Sequence, residues 1–280
     1  MAYNFSIFYL LSYRMMRLSL IITTYNWPEA LLLVLKSIEC QTILPDEVII
    51  ADDGSTFDTC NLIKKFKKGS NLNIVHSWHE DYGFRVARSR NKAISKSSGE
   101  YLVLIDGDSI LHPQFIKDHL YISEPGYFVQ GSRVLVSFQA TKNALEQKNI
   151  FFPFFTSGLK NRKNAIRSKL LSKLFSRNEK RLQGIKSCNM AFFKKDFIKI
   201  NGFNNDFEGW GREDSEFVVR LINSGIKRKN IRFSAVQFHL WHNENSRKSL
   251  EKNDAKLDDA INKSMKWCEN GFNSMKKNED

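Results

Sequence analysis

Apolar residues in this chain gather in short runs that stop at polar clusters. Residues 17–22 (RLSLII) read as a buried strand, closed by Thr23-Thr24-Tyr25-Asn26. Pro28 suits a first helical turn, and a dense apolar stripe follows from Ala30 to Ile38. Residues 47–51 (EVIIA) repeat the pattern and end on Asp52-Asp53-Gly54-Ser55, before a helix through Leu62, Ile63 and Phe66. Residues 72–76 (LNIVH) predict a third strand, 86–96 a helix that Gly99 stops, and 101–105 (YLVLI) a fourth strand ending on Asp106-Gly107-Asp108-Ser109. Strand alternating with helix predicts an α/β fold, its sheet wound by right-handed crossovers. Ligands in such sheets sit beyond the carboxyl ends of the strands. The polar clusters 23–26, 52–55 and 106–109 all fall there.

The second half is less regular. Residues 127–136 suggest a strand or two. Residues 140–186 are rich in Lys, Arg and Asn around the run Phe151-Phe152-Pro153-Phe154-Phe155, and read as an insertion with short helices. Residues 188–193 and 232–238 predict two more strands, the second ending on His239-Leu240-Trp241-His242. Between them, Gly209-Trp210-Gly211-Arg212-Glu213-Asp214-Ser215-Glu216 runs into a helical pattern at Phe217, Val218, Leu221 and Ile222. The tail from Ser246 is charged and helix-prone. These breaks predict an N-terminal extension over 1–16, halves over 17–136 and 137–245, the second carrying the basic insertion 140–186, and a charged helical tail over 246–280.

Composition narrows the class. Of 280 residues, 42% are hydrophobic, enough for a sizeable core. The net charge of +13 points to a polyanionic neighbour, whether nucleic acid, an anionic membrane or a phosphorylated substrate. Cys40, Cys60, Cys188 and Cys268 fit no disulfide or zinc spacing, which predicts a reducing, cytoplasmic setting. The apolar run at 5–11 is too short to span a bilayer and lacks the flanks of a signal peptide. It would serve at most as an interfacial anchor, and Met15 or Met16 is an alternative start.

Asp106-Gly107-Asp108 places two carboxylates on a tight turn, an arrangement that holds a divalent cation against a diphosphate. Acidic turns after strands are also common without a metal. Asp52 and Asp53 can accept hydrogen bonds from a base or ribose, or form an ordinary Asp-Gly turn. Arg85, Arg88 and Arg90 lie near a helix start where a diphosphate could be met. His239 and His242 are candidate neutral imidazole ligands. Trp210 offers a flat face for a sugar ring. Glu213 and Asp214 at a helix start, taken alone, are explained first by capping and the helix dipole, and only their surroundings point to catalysis.

The order TTYN (23–26), ADDGS (51–55), LIDGDS (104–109), GFNNDFEGWGREDSEF (202–217) and FHLWH (238–242) resembles the inverting nucleotide-sugar glycosyltransferases of family 2. The later block is similar to the C-terminal segment of β-1,4-galactosyltransferases and bacterial chondroitin-synthase-type enzymes, with their W-G-x-E-D signature. The resemblance spans roughly 17–245. It implies a GT-A fold, Rossmann-like, with a mostly parallel sheet flanked by helices and a smaller acceptor-binding half. The first half would bind the nucleotide-sugar. Thr24, Tyr25, Asp52 and Asp53 would hold the nucleoside, and Arg85 and Arg88 the diphosphate. Asp106 would reach ribose or metal. Asp108 with His239 or His242 would ligate Mn2+ or Mg2+. Asp214 would be the general base, Glu213 an acceptor-binding partner, and Trp210 would pack on a sugar. A base at a helix start is expected to be ionised at neutral pH.

The implied donor is a UDP-sugar. The implied acceptor is a glycan or lipid-linked saccharide of bacterial lipopolysaccharide or capsule, met by peripheral contact with anionic lipid on the inner face of the cytoplasmic membrane. Arg212 stands where a small residue is usual, and the basic insertion has no counterpart. Two other classes compete. A sugar-nucleotide nucleotidyltransferase would show a glycine-rich basic loop after the first strand, where this chain has TTYNWPE. A non-enzymatic binder of nucleic acid or membrane would interleave aromatics with basic residues. Acids at the strand ends have the wrong sign for phosphate unless a cation intervenes, so no nucleic-acid partner is expected.

Overall fold

The computed structural model describes residues 16–276 apart from 180 and 245. The apolar run at 5–11 lies outside the described residues. The first four strands form as the apolar runs predict: β1 (Leu18–Thr24), β2 (Glu47–Asp52), β3 (Ile74–Trp78) and β4 (Tyr101–Asp106). They are parallel neighbours in the order β3-β2-β1-β4. The crossovers are α1 (Pro28–Glu39), α2 (Phe57–Gly69) and α3 (Val86–Ser95). Proline opens α1, where its missing N–H costs nothing. The third strand starts two residues later than its apolar run suggests.

Chain order continues with β5 (Ser109–Leu111), α4 (Phe115–Ile122), β6 (Tyr127–Gln130), β7 (Val134–Val136), α5 (Phe138–Gln147) and β8 (Leu159–Lys160). After a single 3-10 turn come α6 (Lys169–Phe175), β9 (Arg177–Glu179), β10 (Asn189–Phe193), α7 (Lys194–Lys199) and α8 (Glu213–Asn223). β11 (Lys227–Asn230), β12 (Gln237–His239), α9 (Leu250–Asn262) and α10 (Asn273–Lys276) complete the described residues. Among the described residues, the large sheet has eight strands in the order β3-β2-β1-β4-β10-β6-β11-β9. Only β9 and β10 run against the rest. A four-stranded sheet, β5-β12-β7-β8, sits beside it. The expected strand at 232–238 shrinks to three residues because Phe233 and Ala235 adopt positive φ and bend the chain.

Alternate residues of β1 face opposite sides of the sheet. Leu18, Leu20 and Ile22 pack with α1 and α4, whereas Ile21 packs with α3, α7 and α8. The second core is rich in phenylalanine. Phe203 stacks on Phe217 with ring centroids 4.2 Å apart, and Phe272 from the tail meets Phe197 at 5.1 Å. The tail is therefore seated in the main core. A third cluster joins the small sheet to α1 through Ala30, Leu33, Ile110, Val134 and Phe238.

Candidate active site

Parallel register lines up the carboxyl ends of the central strands. Thr24 pairs with Asp52, and Thr23 with Asp106. Gly107 donates its N–H to the Thr23 carbonyl at 2.7 Å. A Cβ at Gly107 would come within 2.9 Å of the Thr24 hydroxyl, so only glycine lets the turn lie against β1. Asp108 follows, and β5 turns back to pair with β12, placing His239 opposite Ser109. The Leu240 N–H donates to the Asp108 carbonyl at 2.9 Å.

This pairing draws Asp108, His239 and His242 together. Their ligand atoms all lie within 4.8 Å of one another. His239 Nε2 is 3.5 Å from one Asp108 oxygen, and His242 Nε2 is 3.4 Å from the other. His239 Nδ1 is 2.9 Å from the Leu240 carbonyl, and His242 Nδ1 is 2.6 Å from the Asn243 carbonyl. A carbonyl only accepts, so both rings donate from Nδ1 and turn Nε2 inward toward Asp108. Asp108 Oδ1 is buried without a hydrogen-bond partner among the described residues. Two inward-facing imidazole nitrogens and an orphaned carboxylate oxygen fit a divalent cation, with the outer N–H groups anchored as in protein metal sites. The two histidines stand equally close.

Arg90 makes the second connection. It is 3% exposed, on α3. Its Nε donates to the Thr23 hydroxyl at 3.1 Å and its Nη1 to Glu213 Oε1 at 3.2 Å, while Nη2 lies 3.7 Å from Asp106 Oδ1. One guanidinium thus ties β1, the D-x-D turn and the start of α8. Burial, then the charge of Asp108, raises the Asp106 pKa, and Arg90 partly offsets this. Capping does not account for Glu213: Arg212 at the N-cap has φ 74° and makes no side-chain cap bond, and Glu213 turns to Arg90, while Asp214 accepts from the hydroxyl of Ser215 at 3.2 Å. Asp214 also departs from expectation. It is pushed up to about 7, first by burial and then by the neighbouring Glu213, against the pull of Arg90. The helix dipole expected to keep it ionised is outweighed.

The turn before α8 is held by the tail. Asn253 on α9 is fully buried, and its amide donates to the carbonyls of Glu208 (3.2 Å) and Gly211 (3.0 Å). A Cβ at Gly209, where φ is 74°, would meet the Ser249 hydroxyl at 2.1 Å. Arg212 pairs with Asp254, and the Arg247 guanidinium lies 5.7 Å from the centre of the Trp210 ring. Trp210 is 38% exposed.

The expected nucleoside residues are more internally engaged. Asp52 accepts from the Ser55 N–H at 2.8 Å and lies 2.7 Å from His76 Nε2. Asp53 lies 2.7 Å from His79 Nε2 and accepts from the Arg85 N–H at 2.9 Å. The Arg85 guanidinium turns to the Glu80 carbonyl and the Tyr82 ring. Thr24 is buried, while Tyr25 is half exposed and donates its hydroxyl to Asp81 at 2.8 Å. Arg88 is half-buried on α3 and makes no ion pair among the described residues. Sequence reasoning grouped Arg90 with Arg85 and Arg88 as phosphate-facing cations. It missed Arg90's junction role, and it missed Asn253. The hydrophobic face of α3 signals the first, since Arg90 shares it with Ala87 and Ile94; nothing local signals the second.

Two family descriptions match the chain: glycosyl transferase family 2 over residues 19–200, and the N-terminal domain of galactosyltransferase over 173–243. Chondroitin synthase from Escherichia coli is 25% identical over 244 residues, covering 79% of this chain and 34% of that protein. Validoxylamine A glucosyltransferase from Streptomyces hygroscopicus subsp. limoneus is 28% identical, covering 75% and 48%. The chain thus spans less than half the length of these curated relatives. Among solved structures, S. aureus TarS 1-349 in complex with UDP-GlcNAc superposes with a TM-score of 0.60 at 16% identity, covering 89% of this chain and 66% of that one. Mannosyltransferase PcManGT from Pyrobaculum calidifontis, with GDP-Man and Mn2+, gives 0.51 at 17% identity, covering 80% and 56%. These likenesses establish the GT-A type of α/β fold.

Proposed function

The chain belongs to glycosyl transferase family 2, and from that premise we propose that it is a metal-dependent inverting transferase moving a sugar from a UDP-sugar to a glycan hydroxyl. The observation that carries this reading is Arg90. Its one buried guanidinium touches both Glu213 and Asp106, so the acid pair and the D-x-D turn belong to one site. The cation would be held by Asp108, His239 and His242. Two imidazoles beside one carboxylate favour Mn2+ over Mg2+, which prefers oxygen ligands. Such an ion, when bound, stabilises charge on the departing diphosphate.

Asp214 takes the proton from the acceptor hydroxyl. The acceptor oxygen bonds to the anomeric carbon from the face opposite the diphosphate, whose C–O bond breaks. One displacement inverts that centre, so an α-linked donor yields a β-linkage. Half-buried and desolvated beside Glu213, Asp214 is a stronger base than an ordinary carboxylate. Arg90 holds Glu213 in place and limits the repulsion between the two acids. The fold neighbour solved with UDP-GlcNAc favours uridine in the donor. The chondroitin synthase relatives, bacterial and named for a polysaccharide, favour a glycan acceptor, which we place in lipopolysaccharide or capsule synthesis.

The test is a thermal-shift screen of UDP- and GDP-sugars with and without Mn2+, followed by turnover of the best donor in EDTA. Stabilisation by a UDP-sugar that needs Mn2+, and no turnover in EDTA, is the expected result. Full turnover in EDTA removes the metal, and a shift confined to GDP-sugars removes uridine.

A further inference from the structure

The basic insertion carries an apolar face that the transfer site does not use. Residues 160–181 hold nine Lys or Arg and one acid, Glu179, which lies 3.6 Å from Arg228. Within this stretch α6 reads KLLSKLF. Leu170 and Leu174 are four residues apart, hence on one side of the helix. They are 67% and 65% exposed. Lys169 and Lys173, also exposed, form the adjoining stripe. Tyr121 on α4 extends the face: it is 65% exposed, and Lys169 Nζ lies 5.6 Å from its ring centre. Lys117, one turn earlier on α4, is exposed as well.

This face is built firmly. The Arg167 guanidinium, just before α6, donates twice to the Asp118 carboxylate on α4, at 2.9 and 2.7 Å. Asp118 also accepts from the Ala235 N–H at 3.0 Å, and the Ser168 N–H donates to the Phe233 carbonyl at 3.0 Å. Phe175 packs against Phe233 with centroids 5.7 Å apart. The leucines therefore point outward on a fixed support, joined to the segment that runs into β12 and His239.

We propose that the α4–α6 face docks on an anionic lipid bilayer, with Leu170, Leu174 and Tyr121 entering the interface and Lys117, Lys169 and Lys173 meeting lipid phosphates. A single exposed leucine needs no partner. Apolar side chains side by side, flanked by cations and clear of unpaired acids, have the make-up of an interfacial helix. Among the described residues no helix is long and apolar enough to cross a membrane, so this contact is of the lying-on kind. Single-stranded nucleic acid would want flat rings presented along a groove. Here the apolar element is a pair of leucines with a single ring, Tyr121, beside it. The inference is independent of the transfer chemistry.

The experiment is co-sedimentation with vesicles of phosphatidylglycerol and phosphatidylcholine, compared with phosphatidylcholine alone, at low and high salt. The protein is expected to pellet with the anionic vesicles at low salt and to be released by salt. Lys169→Ala with Lys173→Ala should weaken partitioning roughly 30-fold, and Leu170→Ser with Leu174→Ser about tenfold or more. Lys64→Ala with Lys67→Ala, on the exposed side of α2, should leave it unchanged. Circular dichroism melts confirm that each variant is folded. Equal binding by the leucine pair, equal loss on changing the α2 lysines, or binding to single-stranded RNA but to neither vesicle, overturns the proposal.

Discussion

The two sides of the site are built in different ways. On one side, the D-x-D turn and the Asp52-Asp53 turn hang from the ends of parallel strands, and sheet register alone aligns Thr24 with Asp52 and Thr23 with Asp106. On the other, the turn carrying Trp210, Glu213 and Asp214 is irregular, and it is held by α3 from one direction and α9 from the other. The first is a local product of the hydrophobic pattern. The second exists only once segments more than a hundred residues apart have packed. In the proposed reaction a cation and diphosphate would need fixed ligands, which strand ends can supply, and an acceptor base would need a tuned environment, which tertiary burial can supply.

The sharpest test separates the sides by single changes. Asp108→Ala on the strand-end side should abolish the metal-dependent stabilisation by nucleotide along with transfer. Asp214→Asn should leave nucleotide stabilisation intact and lower turnover by about 10²–10⁴. The wild-type rate should rise about tenfold between roughly pH 6 and 8, because the base with a pKa of about 7 must be ionised to accept the proton. Stability moves the other way. A carboxyl whose folded pKa lies above its unfolded value stabilises the fold at low pH, and that contribution is lost as pH rises through about 7. Asp214→Asn should then raise the unfolding midpoint by about 2–4 °C at pH 8. A flat pH–rate profile, or loss of nucleotide binding in Asp214→Asn, would erase the distinction between the two sides.

Legibility in the sequence follows the same division. The runs RLSLII, EVIIA, LNIVH and YLVLI announce four parallel strands, and the polar clusters that stop the first, second and fourth mark the place of the site, because burial of a strand needs only apolar residues in sequence. Asp108 with His239 and His242 was visible as a candidate set, although its equal geometry needed the pairing of β5 with β12. The protonation of Asp214 was not legible. A helix start argues for an ionised acid, but desolvation and Glu213 reverse the sign, and both depend on what packs above the turn. Arg90 looked like a surface cation for phosphate until its partner, 123 residues away, was in place. The tail reads as a charged, helix-prone segment, and nothing in LEKNDAKLDDAIN says that Asn253 is fully buried.

Asn253 offers a middle-sized test of whether the tail positions the base. Removing its amide in Asn253→Ala takes one hydrogen bond each from the Glu208 and Gly211 carbonyls, a loss of about 0.5–1.5 kcal/mol in stability per bond. If the tail only stabilises the fold, kcat at a temperature where the variant is fully folded will be that of the wild type. If it positions the turn, kcat should fall roughly tenfold, the change expected for about 1.4 kcal/mol, while the KM for the donor stays unchanged. A parallel fall in donor affinity would mean that the strand-end side depends on the tail too.

The smallest effect is expected at Arg212, although it stands next to the acid pair. Its side chain is 43% exposed and its partner Asp254 is 41% exposed. Ion pairs at such exposure contribute about 0–1 kcal/mol, because water screens both charges and ordering two long side chains costs entropy. Arg212→Ala and Asp254→Ala should each lower stability by no more than this amount, and the double variant should match the singles. The backbone of Arg212 is another matter. It holds φ at 74°, where a non-glycine residue is strained, so Arg212→Gly should be as stable as Arg212→Ala or more so. An Arg212→Ala enzyme with normal stability and donor KM but a raised acceptor KM would show that the side chain leaves Asp254 to meet the acceptor. The turn would then carry specificity through a side chain that the tail merely parks, whereas an unchanged acceptor KM leaves Trp210 as the residue there that faces the sugar.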